Sequence, residues 1–306
     1  MSENVIDIAL ASPFTGLGVA LATPFTTSDH AVDYPAFRRL VRHVAAGGAD
    51  FLVVLGSTGE AATLVESERD SLVAACLEEA GRLPVVVGTG HNATRQTVSW
   101  TRRARQLGAS GALVVTPFYN KPTPDGLLAH YQAVAEVGLP IIAYNVPGRT
   151  GTNLAPITLT RLWAIPELVA LKESSGNLAQ IGEMARTLPR GKVLLSGDDN
   201  LALASLATGA RGLISVLGNL LPAEMKALTS ACQRGDFATA RMLHSRLLPL
   251  MDALFLESNP IPLKAALATA GLADDVLRLP LLPASPRTRD GLREALAVAQ
   301  VAEVAA

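Results

Sequence analysis

The sequence predicts an α/β fold, a (β/α)8 TIM barrel followed by a C-terminal helical extension. Three observations carry that reading. Short apolar runs alternate with longer amphipathic stretches over residues 16–216, and there are eight such runs. They are apolar throughout instead of alternating with polar residues, as expected of parallel strands covered on both faces. Eight repeats of one β-α unit fit a closed barrel better than an open doubly wound sheet.

Taken in order, strands are expected at 16–25 (GLGVALATPF), 51–56 (FLVVLG), 84–90 (PVVVGTG), 111–118 (GALVVTPF), 140–146 (PIIAYNV), 168–174 (LVALKES), 193–197 (VLLSG) and 212–216 (GLISV). Each is closed by glycine, proline or polar residues. Helical patterns fall between them near 34–47, 66–81, 93–107, 124–137, 156–164, 177–188 and 199–208. From residue 222 onward the chain reads as helices only, and PAEMKALTSACQRGDFATARMLHSRLLPLMDALFLE is amphipathic with a break at RGD. The expected organisation is a catalytic barrel over 1–221 and a helical region over 222–306 packed on it, without a low-complexity linker.

Composition narrows the function. The 306 residues are 49% hydrophobic, and 26 Lys+Arg against 27 Asp+Glu leave a net charge of −1 with no basic block. That excludes a nucleic-acid footprint and points to small-molecule partners. Cys76 and Cys232 lie far apart in helical stretches, which suits free buried thiols in a reducing cytoplasm. The N-terminus MSENVIDIALASPF lacks a basic leader segment, and no apolar run reaches the roughly 18 residues of a membrane span. A soluble cytoplasmic protein is expected.

In such barrels the chemistry sits at the C-terminal strand ends, and the residues that look out of place fall there. The ends read GSTGE (56–60), TPFYN (116–120), YNVPGRT (144–150), KESSG (172–176) and SGDDN (196–200). Lys172 closes an apolar run. A lone strand-end lysine ordinarily snorkels to solvent or meets a carboxylate. In an apolar mouth, however, burial disfavours the charged form, and a neutral amine can attack a carbonyl to form a Schiff base. That chemistry needs proton carriers, which Tyr144 and Tyr119, two of only four tyrosines, and Ser57 or Thr58 can supply. The backbone of GSTGE can also face a carboxylate-sized anion. Arg149 follows Pro147 and Gly148, where a guanidinium suits bidentate capture of a carboxylate; alone it would pass for a solvated loop residue.

Other features point away from bound groups. Asp198 and Asp199 are expected to cap the next helix, and the five histidines show no ligand spacing, so neither a metal nor a cofactor is proposed. GTGHNA (88–93) fits the dinucleotide fingerprint, yet the following strand ends in TPFYN without the acidic residue that motif requires.

Assembled, GSTGEAATL, GTGHNAT, VTPFYNKPT, YNVPGRTG, LKESSGN, LLSGDD, GLISVLGN, ESNPIPLKAAL and LRLPLLP resemble, in order and over nearly the whole chain, the dihydrodipicolinate synthase family of pyruvate-dependent aldolases. The resemblance implies that Lys172 is the Schiff-base lysine for pyruvate, with Tyr144 above it. It implies a proton relay of Ser57, Tyr144 and Tyr119, the last reaching into a neighbouring subunit of a homotetramer. Thr58 would hold the pyruvate carboxylate, Gly197 and Ile214 would line the pocket, and Arg149 would receive aspartate semialdehyde. The implied reaction joins these substrates into the cyclic precursor of diaminopimelate and lysine. Ser57 departs from the family's usual GTTGE and matches the related N-acetylneuraminate lyases, whereas Arg149 is foreign to them. Two rivals remain at this level: a sibling pyruvate lyase acting on a sugar acid or hydroxy-oxoglutarate, and a catalytically silent barrel that senses a keto acid. Positions matching the family's lysine-effector site are Glu66, Arg69, Gln96 and Phe118, and their chemistry predicts weak or absent lysine inhibition.

Overall fold

The Val-, Leu- and Ile-rich runs become eight short parallel strands in a computed structural model that describes residues 12–299. The N-terminal stretch read above for a leader lies outside the described residues, apart from its last three. The strands are β1 (Gly16–Ala20), β2 (Phe51–Val54), β3 (Val85–Gly88), β4 (Gly111–Val115), β5 (Ile141–Asn145), β6 (Leu168–Glu173), β7 (Val193–Ser196) and β8 (Gly212–Ser215). They pair in sequence order, and β8 pairs with β1 to close the barrel. Each expected strand is present, ending earlier than the apolar run wherever the chain turns into a rim loop.

Around the barrel run α1 (Tyr34–Ala46), α2 (Glu66–Glu79), α3 (Thr94–Leu107), α4 (Pro124–Ala135), α5 (Pro147–Thr150), α6 (Pro156–Leu162), α7 (Leu178–Arg186), α8 (Ala202–Ala207) and α9 (Pro222–Gln233). Their starts are written locally. Asp33, Thr123 and Asn177 each accept a backbone N–H of the first turn, and proline opens α4, α5, α6 and α9, where its missing N–H costs nothing. The helix α9 lies beyond residue 221 yet packs against α8 and β1, which completes the ring. The extension continues as α10 (Phe237–Ala253), α11 (Ile261–Thr269) and α12 (Pro286–Ala299), and Asp236 of RGD caps α10. Among the described residues no helix is long and apolar enough to cross a membrane.

Period-two alternation sorts the strand residues into two cores. Phe51, Val53, Ile142, Tyr144, Ala170, Val193, Leu195 and Ile214 fill the lumen. Leu52, Val54, Ile141, Ala143, Leu171, Leu194 and Leu213 face the helices. Each fully buried Leu, Ile or Phe contributes about 1.5–3 kcal/mol, so the alternation is strongly enforced. Lys172 follows the inward Ala170 by two residues and Gly197 follows the inward Leu195 by two, so both reach the upper lumen.

Candidate active site

The strand register brings Lys172 directly opposite Tyr144, with Leu195 on its other side. Lys172 is only 5% exposed, and its Nζ lies 4.3 Å from the centroid of the Tyr144 ring, which is itself buried. An ammonium over an aromatic face is attracted by the ring quadrupole, which fixes where the amine points. The next residue, Glu173, faces the other way. It accepts the Ser175 N–H (2.8 Å) and the Asn145 side-chain N–H (2.9 Å), and burial pushes its carboxyl up against the pull of those bonds. Asn145 in turn donates to Asn153 and accepts the Leu154 N–H, so the ends of β5 and β6 are tied together behind the lysine.

Gly197 explains its own identity. A Cβ built there would stand 2.8 Å from Cε and 3.1 Å from Cγ of Lys172, and 1.9 Å from Oγ of Ser174. The backbone at the end of β7 therefore lies against the lysine shaft, and only glycine leaves room for it. Ile214 is fully buried on β8 in the same lumen.

A second group of residues assembles beside this one. Ser57–Gly59 forms a 3-10 turn in which Thr58 is buried and Gly59 O accepts the Thr23 hydroxyl at 2.7 Å. Asn259 donates its side-chain N–H to Thr58 Oγ1 (2.9 Å), while its main-chain carbonyl accepts Nη2 of Arg149 (3.1 Å). Thr58 and Arg149 are thus linked through one residue, in the ESNPIPLKAAL segment. Arg149 sits in the short helix α5 instead of an irregular loop, because Val146 O accepts the N–H groups of Arg149 and Thr150.

The remaining two expected residues stand apart. Ser57 is exposed, and Tyr119 is 88% exposed at φ 73°, tethered by its N–H to Thr150 O. Among the described residues, neither hydroxyl is hydrogen-bonded to Tyr144. The capping expected of Asp198 and Asp199 is not what their side chains do. Asp198 makes no capping bond, and Asp199 turns away to accept the Ser215 hydroxyl (2.5 Å) and the N–H groups of Val216 and Leu217 (both 2.9 Å). A buried carboxylate takes the full set of donors at the end of β8 in preference to a single N–H of its own turn. Burial pushes both carboxyls up, while the charge of Lys172 pulls both down.

The glycines of GTGHNA have a packing reason. A Cβ on Gly88 would meet Leu55 O at 2.0 Å, so the motif serves strand crowding. Nearby, Arg69 is buried, donates to Ala61 O (3.1 Å) and Gly88 O (2.9 Å), and lies 3.9 Å from the Trp100 ring centroid. Burial lowers its pKa to about 10. His91 packs edge-on against both Trp100 and Phe118.

Sequence reasoning passed over one further cluster. Lys264 and Glu60 form an ion pair in which both side chains are 1% exposed. The available signal was a lysine inside the otherwise apolar PIPLKAAL.

Comparison with known proteins gives a uniform result. The dihydrodipicolinate synthetase family matches residues 13–299. The 4-hydroxy-tetrahydrodipicolinate synthase of Thermomicrobium roseum is 47% identical over 284 residues, 92% of this chain and 93% of that protein. The crystal structure of dihydrodipicolinate synthase from Thermotoga maritima superposes with a TM-score of 0.92 at 41% identity, covering 94% of this chain and 99% of that one. The chloride-inhibited dihydrodipicolinate synthase from Acinetobacter baumannii, complexed with pyruvate, gives a TM-score of 0.92 at 40% identity with the same coverage.

Proposed function

Because the chain belongs to the dihydrodipicolinate synthetase family, we propose that it works as a 4-hydroxy-tetrahydrodipicolinate synthase through a Schiff base on Lys172. It is a lyase-type enzyme that condenses pyruvate with aspartate 4-semialdehyde, in the route to diaminopimelate and lysine. The observation that carries the residue assignment is the buried amine of Lys172 held 4.3 Å from the Tyr144 ring centroid.

The Lys172 amine adds to the keto carbon of pyruvate, and loss of water from the carbinolamine leaves the imine. Removal of a methyl proton then gives the enamine, whose carbon attacks the aldehyde of the second substrate. Tyr144 is placed to handle the protons of these steps, with the hydroxyls of Ser57 and Tyr119 completing the relay. Thr58, buried and oriented by Asn259, holds the pyruvate carboxylate; Gly197 and Ile214 shape the wall around the imine. Arg149 takes the carboxylate of aspartate semialdehyde.

The exposure of Tyr119 supports a homotetramer in which that phenol enters a neighbour's site. The free, buried Cys76 and Cys232 suit a cytoplasmic setting.

The deciding experiment is pyruvate-dependent consumption of aspartate semialdehyde by wild type and Arg149→Ala in parallel. Wild type turns over, and the variant loses about 100-fold or more in kcat/KM for the semialdehyde, since a charge-assisted bidentate contact is removed. Pyruvate is still trapped on Lys172 by borohydride in both. An arginine variant with wild-type kinetics would refute the role of that residue, and trapping without turnover would redirect the search to other aldehydes.

Added lysine is expected to inhibit weakly or not at all. Arg69 presents a fixed positive charge where the effector's ammonium would need a neutral or acidic neighbour, and its guanidinium is already committed to two carbonyls and Trp100. A submillimolar inhibition constant would contradict this.

A further inference from the structure

Lys264 is a second buried lysine, one that the Schiff-base chemistry does not use. It lies in α11, where its Nζ pairs with Glu60, donates to Val276 O (2.7 Å) and sits 4.0 Å from the centroid of the Phe25 ring. Glu60 closes the turn that carries Ser57 and Thr58, and it adopts a left-handed φ of 49°, a conformation that non-glycine residues hold only when their surroundings compel it. Its second oxygen accepts the Arg278 N–H at 3.2 Å, and the Arg278 guanidinium stacks 4.4 Å from the same Phe25 ring while pairing with Glu68. Five residues before Lys264 in the chain, Asn259 reaches Thr58 and Arg149. Both arms of the substrate site therefore meet α11 and its lead-in segment.

We propose that the buried Glu60–Lys264 pair is a positioning device that clamps the Ser57–Glu60 turn onto α11, setting through Asn259 the separation between Thr58 and Arg149. The inference rests on the reading of Thr58 and Arg149 as carboxylate-binding residues. Two groups sealed from water attract each other with little screening, and neither can leave without abandoning a buried charge. A surface pair between the same segments would not hold them in this way. The charged groups facing Lys264 are Glu60 on its turn, and Asp275 and Arg278 on the segment after α11; Glu68 of α2 balances Arg278. Burial lowers the pKa of Lys264 to about 8, with Glu60 opposing. Since raising the pH removes the charge of Lys264, the clamp loosens on the alkaline side as the pH rises through that value.

The test uses the full chain with Lys264→Met and with the charge-neutral double variant Glu60→Gln/Lys264→Met. The double variant leaves no unpaired buried charge and decides the matter if the single one does not fold. Steady-state kinetics should show KM for pyruvate raised about ten-fold with kcat changed less than about three-fold, the split expected when binding geometry and not chemistry is lost. In wild type, KM for pyruvate should climb above about pH 8, and this climb should be missing in the double variant. A folded double variant with wild-type KM and the wild-type pH profile overturns the proposal and leaves the pair a purely structural contact. Borohydride trapping of pyruvate on the wild-type enzyme separates the two levels of inference. Trapped wild type with unchanged variants refutes only the clamp, and untrapped wild type refutes the site reading together with it.

Discussion

With Lys172 proposed as the Schiff-base lysine, Lys172→Met is expected to abolish turnover and covalent capture of pyruvate together, lowering kcat by at least about 10,000-fold, because the imine that splits the condensation into easy steps then has no amine to form on. Methionine is unbranched and of similar length, so it fills the space of the lysine shaft beneath the Tyr144 ring without the amine. The side chain is already 95% buried by the surrounding lumen, so an apolar replacement does not expose new surface, and the melting temperature should hold or rise. The measurement is mass spectrometry after borohydride reduction with pyruvate, alongside semialdehyde consumption. A pyruvate adduct persisting in the variant would place the nucleophile elsewhere, with Lys264 the next buried amine to test.

Gly197→Ala is expected to cost about 100-fold in kcat/KM while leaving the fold intact. The new methyl would stand 2.8 Å from Cε of Lys172 and 3.1 Å from its Cγ, too close for carbon atoms in contact, so the lysine must swing aside. Ser174 Oγ, 1.9 Å from the same point, can rotate away at small cost; the lysine cannot move without losing its alignment. A displacement of about 1 Å at a reacting atom is enough for a loss of that size. Gly182→Ala in α7, where an added Cβ meets nothing within 4 Å, serves as the control and should retain wild-type kinetics. Wild-type trapping rates in Gly197→Ala would mean that the lysine shaft has room the geometry denies it.

These two residues also illustrate what sequence could and could not reveal. Lys172 was legible because a charged residue ended an apolar run at the rim of a barrel whose repeats were plain in the pattern. Its orientation was not, since LVALK is apolar on both sides of the strand up to the lysine, and only the barrel shows Lys172 sharing the inward face of Ala170. For Gly197, only family resemblance suggested a pocket role; its steric reason, contact with the shaft of Lys172, depends on how β6 and β7 lie side by side. Asp198 and Asp199 were misread for a related reason. Their position before a short helix suggests a cap, but the donors that hold Asp199 belong to Ser215, Val216 and Leu217 on the neighbouring β/α unit.

By itself the sequence determined the barrel, the order of its elements, and which strand ends carry the candidate site residues. Hydrophobic period, turn residues and caps are local properties, written within a few residues of where they act. Only the tertiary structure decided which side chains meet. Asn259 and Thr58 are 201 residues apart, and Arg278 and Glu60 are 218 apart, yet each pair is joined by a hydrogen bond. Such contacts arise when the barrel closes and the C-terminal helices pack beside the first rim turns, and no local periodicity encodes them. Burial then decides their strength, because the low dielectric that makes an unpaired Lys264 or Glu60 costly is a property of the packed interior and of no segment alone.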